Sequence, residues 1–441
     1  MPEIADIFRC YGADYLERFG AGMLPSHLRA VRDIAECRTE SFGGHLAVCD
    51  HCGIWRYSYH SCRNRSCPKC HGNDTDKWLK ERRRELLPVA YFHLVFTVPK
   101  ELHGLIRTHQ RVLYAILLRA AASSLMDLAR DPRYVGGTIA VLCVLHTWTR
   151  AMVYHPHVHC LVPGGGLSDD GSSWLPARNG FLVPVRALSE IFRATFMELV
   201  RRALPDETLP DTVWDTNWVV YSKSCVQGSE KVLAYLARYI HRIAITNNRI
   251  LSFENGEVTF RYKDSRENRW QTMTLSAGEF MRRFLQHVLP HGFHKVRSYG
   301  LLAPANRERL QQIRNSLVDQ SAEPKNTDDH TSHLKVVPAE QESSTCPQCL
   351  TGTLVVIFWL PYGGGRHHEC VSPSFPRPSG AHFHAPPDSY PLNPAATTPP
   401  LTLRAPAALI PPLPPHTTTV SFSLICRAKQ PIVAPSAPIR R

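Results

Sequence analysis

The chain has 441 residues, 43% of them hydrophobic, and a formal net charge of +13 with a pI near 9.2. That length and apolar content allow two or three domains with real cores, and the basic excess favours a polyanion partner, nucleic acid before an anionic membrane. No apolar stretch approaches the roughly 20 residues a bilayer requires, and MPEIADIFRC at the N-terminus lacks the leader and apolar core of a signal peptide. A cytoplasmic protein with no membrane partner is therefore expected, in which the 14 cysteines are not disulfides.

Composition divides the chain. Residues 1–75 are rich in Cys and His, and 76–300 alternate strand-like and helical patterns as the main globular domain. Residues 301–345 are polar and read as a linker or frayed helix end. Residues 346–370 open with a CxxC pair and form a possible second zinc knuckle. Residues 371–441 hold 17 of the 35 prolines, cannot build a packed core, and are expected to be disordered.

The first chemical signal is CDHCGIWRYSYHSCRNRSCPKC, residues 49–70. Each CxxC is a tight turn presenting two thiolates, so Cys49, Cys52, Cys67 and Cys70 suffice for a closed structural Zn²⁺ site. Cys37 and Cys62, with His45, His51, His60 and His71 nearby, could complete a second zinc, replace one of the four, or lie in a core. The interleaved Trp55, Arg56, Tyr57, Tyr59, Arg63, Arg65 and Lys69 suit phosphate contact and base stacking, and so a DNA-recognition module. The plainer alternative is the solvated face of a zinc module.

In the main domain, YFHLVFTVP (91–99), GGTIAVLCVLHTW (136–148) and VHCLVPGG (158–165) have strand composition. Residues 101–130 and 187–203 have helical periodicity. The combination predicts an α+β fold, a sheet with helices on one face. In YHPHVHCLVPGGG (154–166), strand alternation puts His155, His157 and His159 on one face, a natural metal platform. SEKVLAYLARYIHRIAI (229–245) reads as a helix with Ser229 as N-cap and Val232, Leu236, Ile240 and Ile243 as its buried stripe. Tyr235, Arg238, Tyr239 and Arg242 then share a neighbouring face. LVVIFWL (354–360) reads as a buried strand, and His367, His368 and Cys370 could complete a knuckle with Cys346 and Cys349.

A tyrosine can attack a DNA phosphodiester and conserve the ester as a phosphotyrosyl bond. A free phenol is only about 0.1% ionised at pH 7, a handicap of roughly 4 kcal/mol. A divalent cation on imidazoles and arginines on the flanking phosphates would neutralise the charge that grows during attack.

Five segments, CRTESFGGH (37–45), SCRNRSCPKC (61–70), YFHLVFTVPKEL (91–102), HTWTRAMVYHPHVHCLVPGGGL (146–167) and YLARYIHRIAITNNRI (235–250), resemble the two-tyrosine HUH transposases of rolling-circle insertion sequences. That group carries an N-terminal transposase zinc-binding domain, and the resemblance spans about residues 30–300. It implies that His157 and His159 carry Mg²⁺ or Mn²⁺ and that Tyr235 and Tyr239 are nucleophiles nicking and transferring single DNA strands. It further implies an antiparallel sheet holding the histidines below the tyrosine helix, with the zinc module helping to recognise element ends. The motif does not fix a third ligand. His146 is expected, because VLCVLHTW could pair antiparallel with the HVH strand, with His155 and His93 as weaker candidates. SKSCVQG (222–228) departs from the Pro- and Gly-rich character expected before the tyrosine helix, and the long tail is also atypical.

Other readings are a plasmid replication initiator or relaxase with the same chemistry, or a non-catalytic zinc DNA-binding protein. A metal-dependent hydrolase fits less well, since Asp169 and Asp170 lie beyond the glycine turn and read as a solvated loop.

Overall fold

The computed structural model describes residues 2–70, 85–216, 218–224, 243–264, 267–321 and 345–362. It begins with α1 (Ile4–Phe19) and α2 (Pro25–Ala35). Glu3 and Asp6 form a reciprocal capping box at the start of α1, and Pro25 opens α2 where its missing N–H costs nothing. Strands β1 (Gly44–Cys49), β2 (Trp55–Tyr59) and β3 (Tyr91–Thr97) follow, then α3 (His103–Thr108) and α4 (Gln110–Ala129). Next come β4 (Thr138–Trp148), β5 (Tyr154–Pro163), β6 (Gly165–Leu167), β7 (Trp174–Pro176), α5 (Val185–Ala203) and β8 (Val220–Ser224). The rest is β9 (Ile250–Glu254), β10 (Glu257–Lys263), β11 (Trp270–Ser276), α6 (Ala277–Leu285), β12 (Val296–Gly300), α7 (Arg307–Ser321) and β13 (Leu354–Leu360).

A seven-stranded antiparallel sheet runs β7-β6-β4-β5-β3-β8, with β12 also on β4. Alternation sends Phe92, Leu94 and Phe96 of β3, Val141, Cys143 and Leu145 of β4, and Val158, Cys160 and Val162 of β5 into one core. The helices α4 and α5 supply its other wall through Leu113, Leu117, Leu125, Phe192 and Phe196. The expected α+β architecture is present. One helix goes further than expected: α7, inside the stretch read as a linker, sets Leu310 and Ile313 against Ala140 on the opposite face of β4. Six residues, about 20 Å of strand, separate Ala140 from His146.

By length and composition α4 is apolar enough to cross a membrane, contrary to the expectation that no such stretch exists. It contains Arg111, Arg119 and Asp127, and its apolar residues form the wall of this core instead.

A second core joins the N-terminal helices to residues 244–288. Ile4, Ile7 and Phe8 of α1 and Ile34 of α2 pack with Val258 and Phe260 of β10 and with Phe280 and Phe284 of α6. Phe8 meets Phe284 edge-on at 5.3 Å, a favoured aromatic geometry. Cys37, Cys62 and Cys67 lie in this core, so it draws on residues from both sides of the expected boundary near residue 75. A separate sheet runs β13-β1-β2. The strand expected at 354–360 forms there, but its central five residues are exposed. It pairs with β1 in a thin three-stranded sheet instead of entering a core.

Candidate histidine site and cysteine clusters

The histidine site follows from register. β4 and β5 pair antiparallel with His146 opposite His157 and Val144 opposite His159. Directly opposed side chains share a face, so the β4 histidine stands beside both β5 histidines. Their ligating nitrogens lie within 4.8 Å of one another. Ring centroids are 4.5 Å apart for His146 and His159, and 4.9 Å for His157 and His159. Trp148 stacks on His146 at 4.7 Å and restricts its rotation.

Two of the rings are oriented by their other nitrogen. Nδ1 of His157 lies 2.7 Å from the carbonyl oxygen of His155, to which it donates, leaving Nε2 as a lone pair. Nδ1 of His159 lies 2.8 Å from Nε2 of His93, whose ring stacks nearly parallel to it. The tautomer that suits a cation has His159 donating to His93, which again leaves Nε2 without a proton. Metal-ligating histidines require such a partner. Burial pushes His157 and His93 down to about 4, so both rings are neutral at pH 7, as a lone-pair donor must be. Three imidazoles with converging nitrogens fit a divalent cation.

The two weaker candidates take other places. His93 is the orienting partner of His159. His155 shares the face but packs edge-on against His103 at 5.6 Å. Tyr235, Tyr239, Arg238 and Arg242 lie outside the described residues, as does Ser229. β8 ends at Ser224, just before that segment, and pairs with β3, placing Lys223 opposite His93 and Tyr221 opposite Val95.

The cysteines are grouped differently from the expectation. Cys37, Cys62, Cys67 and Cys70 converge as one cluster, and Cys49, Cys52, Cys346 and Cys349 as another. The CxxC pairs 49/52 and 67/70 therefore do not share a site. Sγ of Cys70 lies 3.4 Å from Cys37 and 3.5 Å from Cys62. Arg38 and Arg63, each following a single cysteine, have φ of 59° and 50°, which folds the chain back around the thiol. Cys346 and Cys349 meet the N-terminal pair; His367, His368 and Cys370, their expected completions, lie outside the described residues.

Of the basic residues expected on DNA, Arg65 is engaged within the fold. Its guanidinium donates to the carbonyls of Leu289 at 3.0 Å, Pro290 at 2.6 Å and Phe293, pinning the cysteine loop to the segment that follows α6. Lys69 pairs with Glu3 at 2.5 Å, and Arg63 is exposed. On β2, alternation aligns Trp55, Tyr57 and Tyr59 on one face, and all three are exposed. The roles of His93 and Arg65 were missed from sequence. Period-2 alternation in YFHLVFTVP places His93 on one strand face, but only the register with β5 puts it beside His159.

A family model described as "Putative transposase" matches residues 140–309, and one described as "Transposase zinc-binding domain" matches residues 7–98. The chain is 40% identical over 382 residues to "Putative transposase y4qJ" of Sinorhizobium fredii (strain NBRC 101917 / NGR234), covering 81% of this chain and 95% of that protein. It is 28% identical over 306 residues to "Transposase for insertion sequence element IS801" of Pseudomonas savastanoi pv. phaseolicola, covering 64% of this chain and 72% of that protein. No solved structure matches the chain.

Proposed function

The chain belongs to the two-tyrosine transposase family of insertion sequences that carries an N-terminal transposase zinc-binding domain, and on that premise we propose that it nicks and transfers single DNA strands through a 5′-phosphotyrosine during rolling-circle transposition. What supports this reading above all is the convergence of His146, His157 and His159 with the second nitrogens of two of them already engaged.

These three residues would hold Mg²⁺ or Mn²⁺, and imidazole ligands suit Mn²⁺ better than Mg²⁺. Bound there, the ion supplies positive charge to the scissile phosphate. The phenol oxygen of Tyr235 or Tyr239 attacks phosphorus, the P–O3′ bond breaks, and the strand stays on the enzyme through its 5′ phosphate. The proton lost by the phenol is balanced by the one gained at the departing 3′ oxygen. Arg238 and Arg242, on the same helical face as the tyrosines by spacing, hold the neighbouring phosphates. The second tyrosine serves the target or terminating exchange. Trp55, Tyr57 and Tyr59 stack unpaired bases of the element end, with Arg56 and Arg63 on the backbone. The reaction takes place on DNA in the bacterial cytoplasm.

The test is incubation with single-stranded oligonucleotides carrying element ends and Mn²⁺. A covalent protein–DNA adduct mapping to Tyr235 or Tyr239 is expected. The Tyr235→Phe/Tyr239→Phe double variant should bind the same DNA without cutting it, and cutting by that variant refutes the assignment.

A further inference from the structure

Cys346 and Cys349 lie outside both family matches, which end at residues 98 and 309. Yet their thiols approach Cys49 and Cys52, up to 300 positions away in sequence, at 3.7 Å for Cys49–Cys349 and 3.6 Å for Cys52–Cys346. A disulfide needs about 2.05 Å between sulfurs. Four sulfurs around a Zn²⁺ at about 2.3 Å stand about 3.8 Å apart along each edge of the tetrahedron, close to the spacing seen.

The two CxxC turns are built alike. In each, the residue after the second cysteine is left-handed, Gly53 at φ 67° and Leu350 at φ 58°. In each, that residue's N–H donates to the carbonyl of the first cysteine, Gly53 to Cys49 at 3.1 Å and Leu350 to Cys346 at 2.9 Å. A leucine held in this conformation is costly, so the second turn is shaped for its thiols and not by its residue preference. Backbone N–H groups also point at sulfur: Cys52 to Cys49 at 3.4 Å, and Gly352 to Cys349 at 3.3 Å. Backbone donors of this kind suit the sulfur of a metal-bound thiolate.

The fit between the turns is close. A Cβ on Gly352 would lie 2.4 Å from Sγ of Cys49 and 2.6 Å from Cβ of His51, so a glycine is needed there. The Asp50 N–H donates to the Thr353 carbonyl at 3.1 Å, and the Thr353 N–H returns a bond to Asp50 Oδ1 at 2.7 Å. From there β13 runs antiparallel along β1, Leu354 opposite Cys49 through Leu360 opposite Gly44.

We propose that Cys49, Cys52, Cys346 and Cys349 bind a structural Zn²⁺ of their own, distinct from that of the Cys37 cluster, forming a zinc ribbon split between residues 49–52 and 346–349. The N-terminal module is then complete only when residues 345–362 have been made and have docked. The cost of closing so long a loop grows only with the logarithm of its length, and the second core already joins the N-terminal helices to residues 244–288. This proposal does not depend on the strand-nicking chemistry.

The experiment is ¹¹³Cd NMR of the full-length protein exchanged into cadmium, counting resonances from cadmium bound by four thiolates, which cadmium on histidine nitrogen does not share. Two are expected in the wild type. One should remain in Cys346→Ser/Cys349→Ser, one in Cys49→Ser/Cys52→Ser, and still one when all four are changed; Cys349→His, which keeps a ligand there, should retain a second metal per chain. A single tetrathiolate resonance in the wild type, two in Cys346→Ser/Cys349→Ser, or a further loss in the four-fold variant overturns the proposal. Alkylation of wild-type protein during chelation provides a measure independent of variants. Cys49, Cys52, Cys346 and Cys349 should become reactive together, and separate exposure of the two pairs argues against a shared ion.

Discussion

His146, His157 and His159 stand on two adjacent strands joined by the turn at 149–153, whereas the two cysteine clusters span 33 and 300 positions of the sequence. The difference lies in what holds each site together. The histidines are positioned by a β-ladder that is itself held by the core under α4 and α5, so the sheet forms with or without a cation. The thiols of each cluster are crowded to within 4.8 Å of one another, where their deprotonated forms repel and a metal must offset the repulsion. The histidine site is therefore a preorganised platform, and the cysteine sites are fasteners on which neighbouring structure depends.

The sharpest way to break this comparison is at the platform. His157→Ala should lower nicking by about 10²–10³-fold, as removal of one group that stabilises transition-state charge does, while circular dichroism and melting temperature stay near wild type. A collapse of the fold in that variant would show that the histidines are structural. At the fasteners the pattern should reverse. Cys37→Ser/Cys67→Ser removes two thiols that lie in the second core, and structural zinc contributes on the order of 10 kcal/mol to such modules. The melting transition of the N-terminal module should be lost, and binding of element ends with it.

A subtler change separates positioning from ligation. His93→Leu leaves His159 in place without its partner and should raise the Mn²⁺ concentration for half-maximal nicking by about 10–100-fold. His93→Gln, which can still accept the Nδ1 proton, should recover most of that loss; equal effects from the two variants would remove the orienting role. Weaker again, Trp55→Ala should lower affinity for single-stranded ends by about 1–3 kcal/mol, measured by fluorescence anisotropy, with zinc content unchanged.

The smallest effect lies outside both sites. Glu279 on α6 is held down to about 2 by its hydrogen bonds with Arg282 and, next, Arg283. Its pairing stabilises the fold above the ordinary value of 4.5 and fades as pH falls from there through about 2. Being largely solvent-screened, Glu279→Gln should cost about 0.5 kcal/mol at neutral pH, and the difference from wild type should close on acidification.

Legibility in the sequence differed between the sites for the same reason as their construction. The strand at 154–163 and its opposed strand at 138–148 could be read from composition and alternation, because a period of two fixes which side chains share a face, and His146 was expected from antiparallel pairing of the two once the resemblance called for a third ligand. The long helices at 110–129 and 185–203 followed from their apolar period. The pairing of cysteines could not be read this way. A CxxC turn gives two thiols and no direction to the other two, so the pair at 67/70 looked as good a partner for 49/52 as any. The strand at 354–360 was recognisable by its β-rich run, but its apolar character suggested burial when it instead forms the exposed edge beside β1.

The sequence by itself determined the composition of each site: imidazoles on one strand face, paired thiols in tight turns, and two tyrosines spaced for one helical face, all properties of a few neighbouring residues. Tertiary structure decided which of these local pieces meet. Packing of α1 and α2 on β10 and α6 brought Cys37 to Cys70, the β3–β5 register set His93 against His159, and the β1–β13 pairing accompanies the meeting of Cys346 and Cys349 with Cys49 and Cys52. Contacts between distant segments depend on the summed burial and register of whole elements, which no local spacing records.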